Sequence, residues 1–113
     1  MHEMSLCEGV LQILEDNARS QGFSRVKTVW LEIGKLSSVE VEAMRFCFDV
    51  VMKDTLADQA RLEIIELPGN AWCMQCGKTV PVSQRFDACP ECGSYQLQVS
   101  GGDELKIREL EVE

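Results

Sequence analysis

Two pairs of cysteines constrain this chain more than any other feature of its sequence. Each pair has the spacing Cys-x-x-Cys and twelve residues separate the pairs, which consist of Cys73, Cys76, Cys89 and Cys92. Two such pairs can place four sulfurs about 2.3 Å from one centre, which is the tetrahedral shell of a structural zinc ion. Gly77 and Gly93 each follow the second cysteine of a pair, where the chain must turn back with positive φ so that backbone N–H groups face the sulfurs. We therefore predict a Zn²⁺ site.

Two other roles for the paired cysteines stay open on the sequence alone. An all-thiolate tetrahedral shell also suits iron, as in a small electron carrier, and two disulfides are the remaining alternative. A metal site made of four protein ligands leaves no position for water, so its metal is expected to hold the fold and not to catalyse. The function of the chain is then expected to reside elsewhere.

The composition is that of a globular protein without membrane spans. The chain has 113 residues, is 45% hydrophobic and 27% charged, and contains no apolar run near the roughly 18 residues that a span needs. Residues 1–20 have neither a basic start nor a continuous apolar segment, so we expect a cytoplasmic protein with reduced thiols. The net charge is −8, and only Lys78 and Arg85 are basic between Trp72 and Gly93. These charges argue against nucleic-acid binding.

The apolar pattern predicts an α+β fold in which two helices pack on a small mixed or antiparallel sheet. The first helix is predicted from one apolar stripe, and Gly22 is predicted to end it; the stripe consists of Leu6, Val10, Ile13, Leu14 and Ala18. Residues 25–34 alternate as a strand that is covered at least partly on both faces. Ser37 and Glu40 have the spacing of a capping box, which predicts the start of the second helix.

The segments after residue 60 predict the domain organisation. Residues 62–67 read as a strand, and Pro68-Gly69-Asn70 has the composition of a linker ahead of the cysteines. The last predicted strand starts at Leu105 and needs the earlier sheet to join. We therefore predict a domain of residues 1–70 plus 101–113 and an inserted, zinc-ribbon-like domain of residues 71–100.

A second candidate metal site lies at the N-terminus. His2 is the only histidine of the chain, and a large residue at this position should protect Met1 from removal. The α-amine, the imidazole and the backbone nitrogens of His2 and Glu3 can surround one ion in a plane, a geometry diagnostic of Ni²⁺ or Cu²⁺. Because these donors must lose protons, metal binding should weaken as the pH falls through the sixes. The alternative is that His2 is a disordered surface residue.

No catalytic residues are predicted. Cys7 and Cys47 lie outside the cysteine pairs and have no histidine base, so both are interpreted as packing residues, although Cys7 is near enough to the terminus to be an extra ligand. The sequence also lacks a Ser-His-Asp set, a Gly-x-Ser-x-Gly motif and a phosphate-binding glycine loop. These features argue against an enzyme.

Three stretches of the chain together resemble one protein family. They are Met1-His2-Glu3-Met4-Ser5-Leu6, then Trp30-Leu31-Glu32-Ile33-Gly34 with the following Leu36-Ser37, and the two cysteine pairs. In this combination and spacing, the whole chain resembles the HypA/HybF family of hydrogenase nickel-incorporation accessory proteins.

The resemblance implies a nickel metallochaperone that delivers its metal and does not catalyse. It implies Ni²⁺ at Met1, His2 and Glu3, structural Zn²⁺ at the four paired cysteines, and a role for Glu40 in metal or partner binding. The expected partners are a nickel-handling GTPase and the large-subunit precursor of a [NiFe] hydrogenase, and some relatives also serve urease maturation. The competing interpretation is a zinc-ribbon interaction module, such as a transcription adaptor, with an inert N-terminus.

Overall fold

The computed structural model describes residues 2–113, and it confirms the predicted α+β class. In chain order the described elements are α1 (His2–Gln21), β1 (Val26–Gly34), a 3₁₀ helix (Lys35–Ser37), α2 (Val41–Met52), β2 (Arg61–Leu67), β3 (Gly69–Cys73), β4 (Lys78–Val82), β5 (Leu97–Gly101) and β6 (Leu105–Val112). The strands form two three-stranded sheets, with the orders β2-β1-β6 and β4-β3-β5. Within residues 2–113, no helix combines the length and the apolar character that crossing a membrane requires.

The chain divides into two compact units. One contains the residues up to Leu31 together with Val39–Ile64 and Ile107–Glu113, and the other contains Glu32–Ser38 and Ile65–Lys106. We call the first the helical unit and the second the cysteine unit. Compactness does not test independent folding, so the domain formed by residues 71–100 stays a prediction.

The core of the helical unit follows the periodicity of its sequence. Each helix buries one stripe, which consists of Cys7, Val10 and Leu14 on α1 and of Met44, Phe48 and Met52 on α2. These spacings place each set on one side of its helix. The prediction that the first strand is covered on both faces is confirmed, because Val29 and Leu31 on one face and Val26 and Thr28 on the other are all buried. The C-terminal strand lies beside β1, so it joins the earlier sheet as predicted.

The predicted start of the second helix was wrong. The capping box does not form, because Glu40 is itself the N-cap of α2 and its side chain accepts a hydrogen bond from the Ala43 N–H at 3.1 Å. Ser37 instead ends the 3₁₀ helix, which is followed by a left-handed residue, Ser38, with φ 66°. A left-handed residue cannot continue into a right-handed helix, so the start of α2 moves beyond it.

The predicted linker is part of the packed cysteine unit. Only Pro68 separates β2 from β3. A Cβ added at Gly69 would collide with the side chain of Leu36, and one added at Gly102 would collide with the backbone carbonyl of Pro68. The glycines therefore allow segments of the chain to approach each other closely.

Candidate metal sites

The cysteine unit brings the four paired cysteines together at one end of its antiparallel sheet. Cys73 is the last residue of β3, Cys76 lies in the turn to β4, and Cys89 and Cys92 lie in the loop between β4 and β5. All four Sγ atoms lie within 4.8 Å of one another. The Sγ–Sγ distances are 3.6 Å between Cys73 and Cys92 and 3.9 Å between Cys76 and Cys89. A tetrahedral ion with Zn–S bonds of about 2.3 Å would set the Sγ–Sγ distances at about 3.8 Å, so the donor set fits zinc.

Both cysteine pairs adopt the same turn. In each pair the glycine N–H donates to the carbonyl of the first cysteine, over 2.8 Å at Gly77 and 2.9 Å at Gly93. The two glycines have φ values of 67° and 77°, as predicted for positions where the chain turns back. In each pair a backbone N–H also approaches the sulfur of the first cysteine, at 3.3 Å from Cys73 Sγ and 3.4 Å from Cys89 Sγ. These N–H groups stabilise negative charge on the sulfurs.

Hydrogen bonding gives the thiols unequal pKa values. A hydrogen bond with Cys92, together with burial, raises the pKa of Cys76 to about 12. Burial acts in the same direction on Cys89, but hydrogen bonds from the backbone of Cys92 and Glu91 outweigh it and lower the pKa of Cys89 to about 7. A metal binds the thiolate forms, so it must displace protons at neutral pH. Metal affinity at this cluster therefore rises with pH.

An ion pair that the sequence analysis missed connects the two cysteine pairs. Lys78 Nζ lies 2.6 Å from Glu91 Oε1, and this hydrogen bond is the main reason why the pKa of Lys78 is raised. The negative charges of Cys76 and Cys89 raise it further. Lys78 follows the first pair and Glu91 lies inside the second, so the opposite charges at these positions were the available signal. The lysine offsets part of the thiolate charge.

The N-terminal candidate ligands lie in the first turn of α1. His2 is the first helical residue and its side chain is 50% exposed. Its Nε2 atom lies 3.8 Å from Oε2 of Glu3, a residue that is buried with 8% exposure. Met1, the third predicted nickel ligand, lies outside the described residues. The structure thus places His2 in a helix, which differs from the alternative of a disordered surface residue.

Glu3 connects the start of α1 to the start of α2. Its Oε2 atom accepts a hydrogen bond from the Glu40 N–H at 3.1 Å. This hydrogen bond is the main cause that lowers the pKa of Glu3 below its ordinary value. The two acidic residues are 37 positions apart in the chain, so spacing alone did not predict their contact. The resemblance had singled out Glu40, and the structure places it against a predicted nickel ligand.

The two remaining cysteines lie in the helical unit. Cys7 is fully buried, and its thiol donates to the Met44 carbonyl over 3.7 Å. Burial raises the pKa of Cys7 to about 12, which disfavours the thiolate that binds metal. The interpretation of Cys7 as a packing residue is confirmed. Cys47 is half-buried on α2.

Sequence comparisons agree on one protein family. A family profile described as "Hydrogenase/urease nickel incorporation, metallochaperone, hypA" matches residues 1–112. The chain is 68% identical to "Hydrogenase maturation factor HypA" of Alkalilimnicola ehrlichii and 63% identical to the protein of the same description from Rhodopseudomonas palustris. Both alignments cover 100% of each chain.

Two solved structures share the fold. "Solution structure of the Ni metallochaperone HypA from Helicobacter pylori" superposes with a TM-score of 0.73 at 21% identity, covering 99% of this chain and 97% of the other. "Solution structure of HypA protein" superposes with a TM-score of 0.71 at 22% identity, covering 99% and 96%. The two helices, the two small sheets and the cysteine lobe are therefore an arrangement already known in solution structures.

Proposed function

Since this chain belongs to the HypA family of nickel metallochaperones, which are non-enzymatic hydrogenase maturation factors, we propose that it carries Ni²⁺ at its N-terminal turn and holds Zn²⁺ in its four-cysteine cluster. The alternative of a zinc-ribbon adaptor without nickel transfer does not fit this family. The proposal assigns a different task to each unit, one site for cargo and one for structure.

The donor set of the cysteine cluster supports zinc as its resident ion. Cys73, Cys76, Cys89 and Cys92 would complete a four-coordinate shell with no position for water, so the ion would stabilise the fold and not activate a ligand. We further propose that residues 71–100 need this ion to fold, because a segment of this size has too small an apolar core of its own.

The first turn of α1 supports the nickel site. The first N–H groups of a helix have no carbonyl partner within the helix, so the backbone nitrogens of His2 and Glu3 can bind an ion without breaking helical hydrogen bonds. The half-exposed imidazole of His2 is free to join them in a plane together with the amine of Met1. This compatibility between the helix start and a planar set of nitrogens is the observation that carries the nickel assignment.

The exposure of the proposed nickel site supports a role in nickel transfer. A planar ion at the chain end can be attacked by an incoming ligand from above or below the plane, whereas an ion enclosed by four fixed side chains cannot exchange so readily. Nickel is therefore the cargo, and the cluster ion stays with the protein. Family membership implies partners in the nickel-incorporation machinery. We propose a nickel-handling GTPase and the large-subunit precursor of a [NiFe] hydrogenase in the cytoplasm, with urease maturation proteins as further partners.

The experiment is a nickel titration of zinc-loaded protein with a native N-terminus. Wild type should develop a yellow, planar-type absorption band that saturates at one equivalent. His2→Ala should lose this band and keep its zinc. Ser5→Ala, which changes an exposed residue of the same helix end, is the matched control and should behave as wild type. A band that survives His2→Ala would place nickel elsewhere and contradict the proposal.

A further inference from the structure

The sheet of the cysteine unit has two edge strands, and only one of them is blocked against further pairing. Among the described strands, β4 and β5 each pair within this sheet with β3 alone. The Met74 N–H donates to the Gln96 carbonyl at 3.0 Å, and hydrogen-bonded pairs alternate along antiparallel strands. This alternation directs the backbone N–H and C=O groups of Val99 away from β3. It also places Pro81 at an outward position of β4, where proline has no N–H to donate.

The free edge of β5 lacks the features by which proteins usually protect an edge strand. Its five residues, Leu97–Gly101, include neither a proline nor a charged side chain. An uncovered edge of this kind is a template for pairing with another chain. β5 is therefore suited to accept an additional strand, whereas the proline in β4 blocks the other edge.

A largely apolar groove lies beside the free edge of β5. Its volume is about 280 Å³, and Val99 is one of the residues that line it. Val99 is the cross-strand partner of Ala71, so both side chains lie on the same face of the sheet. Two exposed aromatic residues also line the groove, Phe86 with 92% exposure and Tyr95 with 76%. A strand added beside β5 would therefore place side chains next to an apolar surface.

The backbone holds Phe86 in a strained conformation that exposes its side chain. Phe86 has φ 71°, in the left-handed region that bulky residues rarely adopt. Two hydrogen bonds close the turn around it. The Asp87 N–H donates to the Gln84 carbonyl at 3.3 Å, and the Gln84 N–H donates to Asp87 Oδ2 at 3.1 Å. Strain that the surrounding structure maintains is typical of functional sites, and an exposed apolar surface is typical of interaction sites.

The charges around the groove favour a basic occupant. Arg85 and Asp87 both line the groove. Arg85 Nη2 lies 3.9 Å from Asp103 Oδ2, so an acidic residue already balances this arginine, and the carboxylate of Asp87 is left to face an occupant. The whole chain carries a net charge of −8, which repels a second copy and attracts a basic partner.

We propose that the free edge of β5 and this groove form a docking site for a basic segment of a partner protein, which adds to the sheet as an extra strand. The backbone of the segment pairs with the N–H and C=O groups of Val99. Apolar side chains at every second position of the segment lie in the groove lined by Phe86 and Tyr95. The docking site lies entirely within the cysteine unit and is independent of where nickel binds.

The first test titrates a synthetic peptide into zinc-loaded protein without nickel and follows the backbone amides by NMR. The peptide is acetyl-Thr-Val-Lys-Phe-Thr-Val-Lys-amide, which alternates apolar and polar residues and carries two positive charges. The Val99 amide should shift, and its hydrogen exchange should slow by at least about tenfold at saturation, because its N–H gains a partner. An unchanged Val99 amide at millimolar peptide would overturn the proposal. Equal binding of the same peptide with glutamate for both lysines would overturn its basic character.

Two variants test the backbone edge and the groove separately. Val99→Pro removes the outward N–H and copies the arrangement of Pro81 in β4. Phe86→Gly removes the aromatic ring and relieves the positive φ, so the loop should keep its fold. Each variant should retain zinc and weaken peptide binding by at least about tenfold. Gln98→Ala is the matched control, because Gln98 is exposed on the same strand and its backbone pairs with β3. Wild-type affinity in both Val99→Pro and Phe86→Gly would overturn the docking site.

Sedimentation of the protein without peptide tests a second copy of this chain as the occupant. Wild type and Val99→Pro should sediment alike at every concentration. Self-association that Val99→Pro abolishes would assign the edge to a second copy and overturn the proposal. Because the peptide titration contains no nickel, its failure would leave the nickel assignment intact. A failed nickel titration would likewise leave the docking site intact.

Discussion

The two candidate metal sites of this chain are built in opposite ways. In the cysteine cluster every donor is a side chain, and two identical turns fix the donors around one point in a core. At the N-terminus most of the proposed donors belong to the backbone and the chain end, and the imidazole of His2 is half-exposed. If the proposed sites are correct, the fold holds all four donors of the structural ion in place, whereas it holds fewer donors of the cargo ion.

The largest expected effect is the loss of one fixed donor. Cys89 is buried, with 3% exposure, and lies in the core of the cysteine unit. Cys89→Ser should abolish stoichiometric zinc binding and disorder the cysteine unit, because metal binding and folding are coupled at such sites. Zinc analysis and the spread of amide resonances in NMR spectra measure both consequences. Cys47→Ser changes a cysteine outside the cluster and should retain both zinc and the fold. Full zinc retention by Cys89→Ser would contradict the view that the cluster depends on four fixed side-chain donors.

The second expected effect concerns the N-terminal site. Two residues added ahead of Met1 remove the free α-amine from its place beside His2. Nickel affinity should fall by at least about a hundredfold, beyond the roughly 10- to 100-fold that loss of an outer-shell partner costs. Calorimetric titration of nickel measures the change, and zinc content should stay at one equivalent. Proteolytic removal of the two residues should restore nickel binding. Unchanged affinity in the extended protein would mean that the chain end supplies no ligand.

A third effect is the pH dependence of the Glu3–Glu40 contact. The hydrogen bond from the Glu40 N–H lowers the pKa of Glu3 from its ordinary value of 4.5. The ionised carboxylate therefore contributes stability above pH 4.5, and this contribution is lost as the pH falls through the lower, folded-state value. The Glu40 amide shift in NMR should titrate with a midpoint below 4.5.

The matched variants for this titration are Glu3→Gln and Glu8→Gln. Glu8 is an exposed acidic residue of α1, so its change should leave the transition of the Glu40 amide in place. Glu3→Gln should remove that transition, because the amide has no proton to gain in this range. A transition that persists in Glu3→Gln would assign the shift change to another group.

The smallest expected effect concerns the ion pair beside the cysteine cluster. Lys78 and Glu91 connect the two cysteine pairs, but their side chains are half-exposed. Exposed ion pairs contribute little and are screened by salt, so Lys78→Gln should accelerate zinc transfer to a chelator by less than about fivefold. The effect should shrink as salt is added. Lys27 is an exposed lysine of the helical unit, so Lys27→Gln should not change the rate of zinc transfer. An acceleration well above about fivefold in Lys78→Gln would show that Lys78 contributes directly to zinc retention.

The elements of the fold were predictable where the signal is periodic or local. The buried stripe of α1 follows helical spacing. The spacing of the four cysteines predicted their cluster, because the two cysteines of each pair are only three positions apart in the chain. The start of α2 was not predictable in this way. Both Ser37 and Glu40 can cap a helix, and the left-handed backbone at Ser38 decides between them.

By itself, the sequence determined the cysteine turns and the two helices, because residue type and short spacing act on the local backbone. Only the tertiary structure decided that Glu3 binds the Glu40 N–H, 37 positions away, and that Leu36 accepts a hydrogen bond from Arg85, 49 positions away. The physical reason is that such partners meet only when separate elements pack, and packing depends on the whole core. The Glu3–Glu40 contact beside the proposed nickel site is of this second kind.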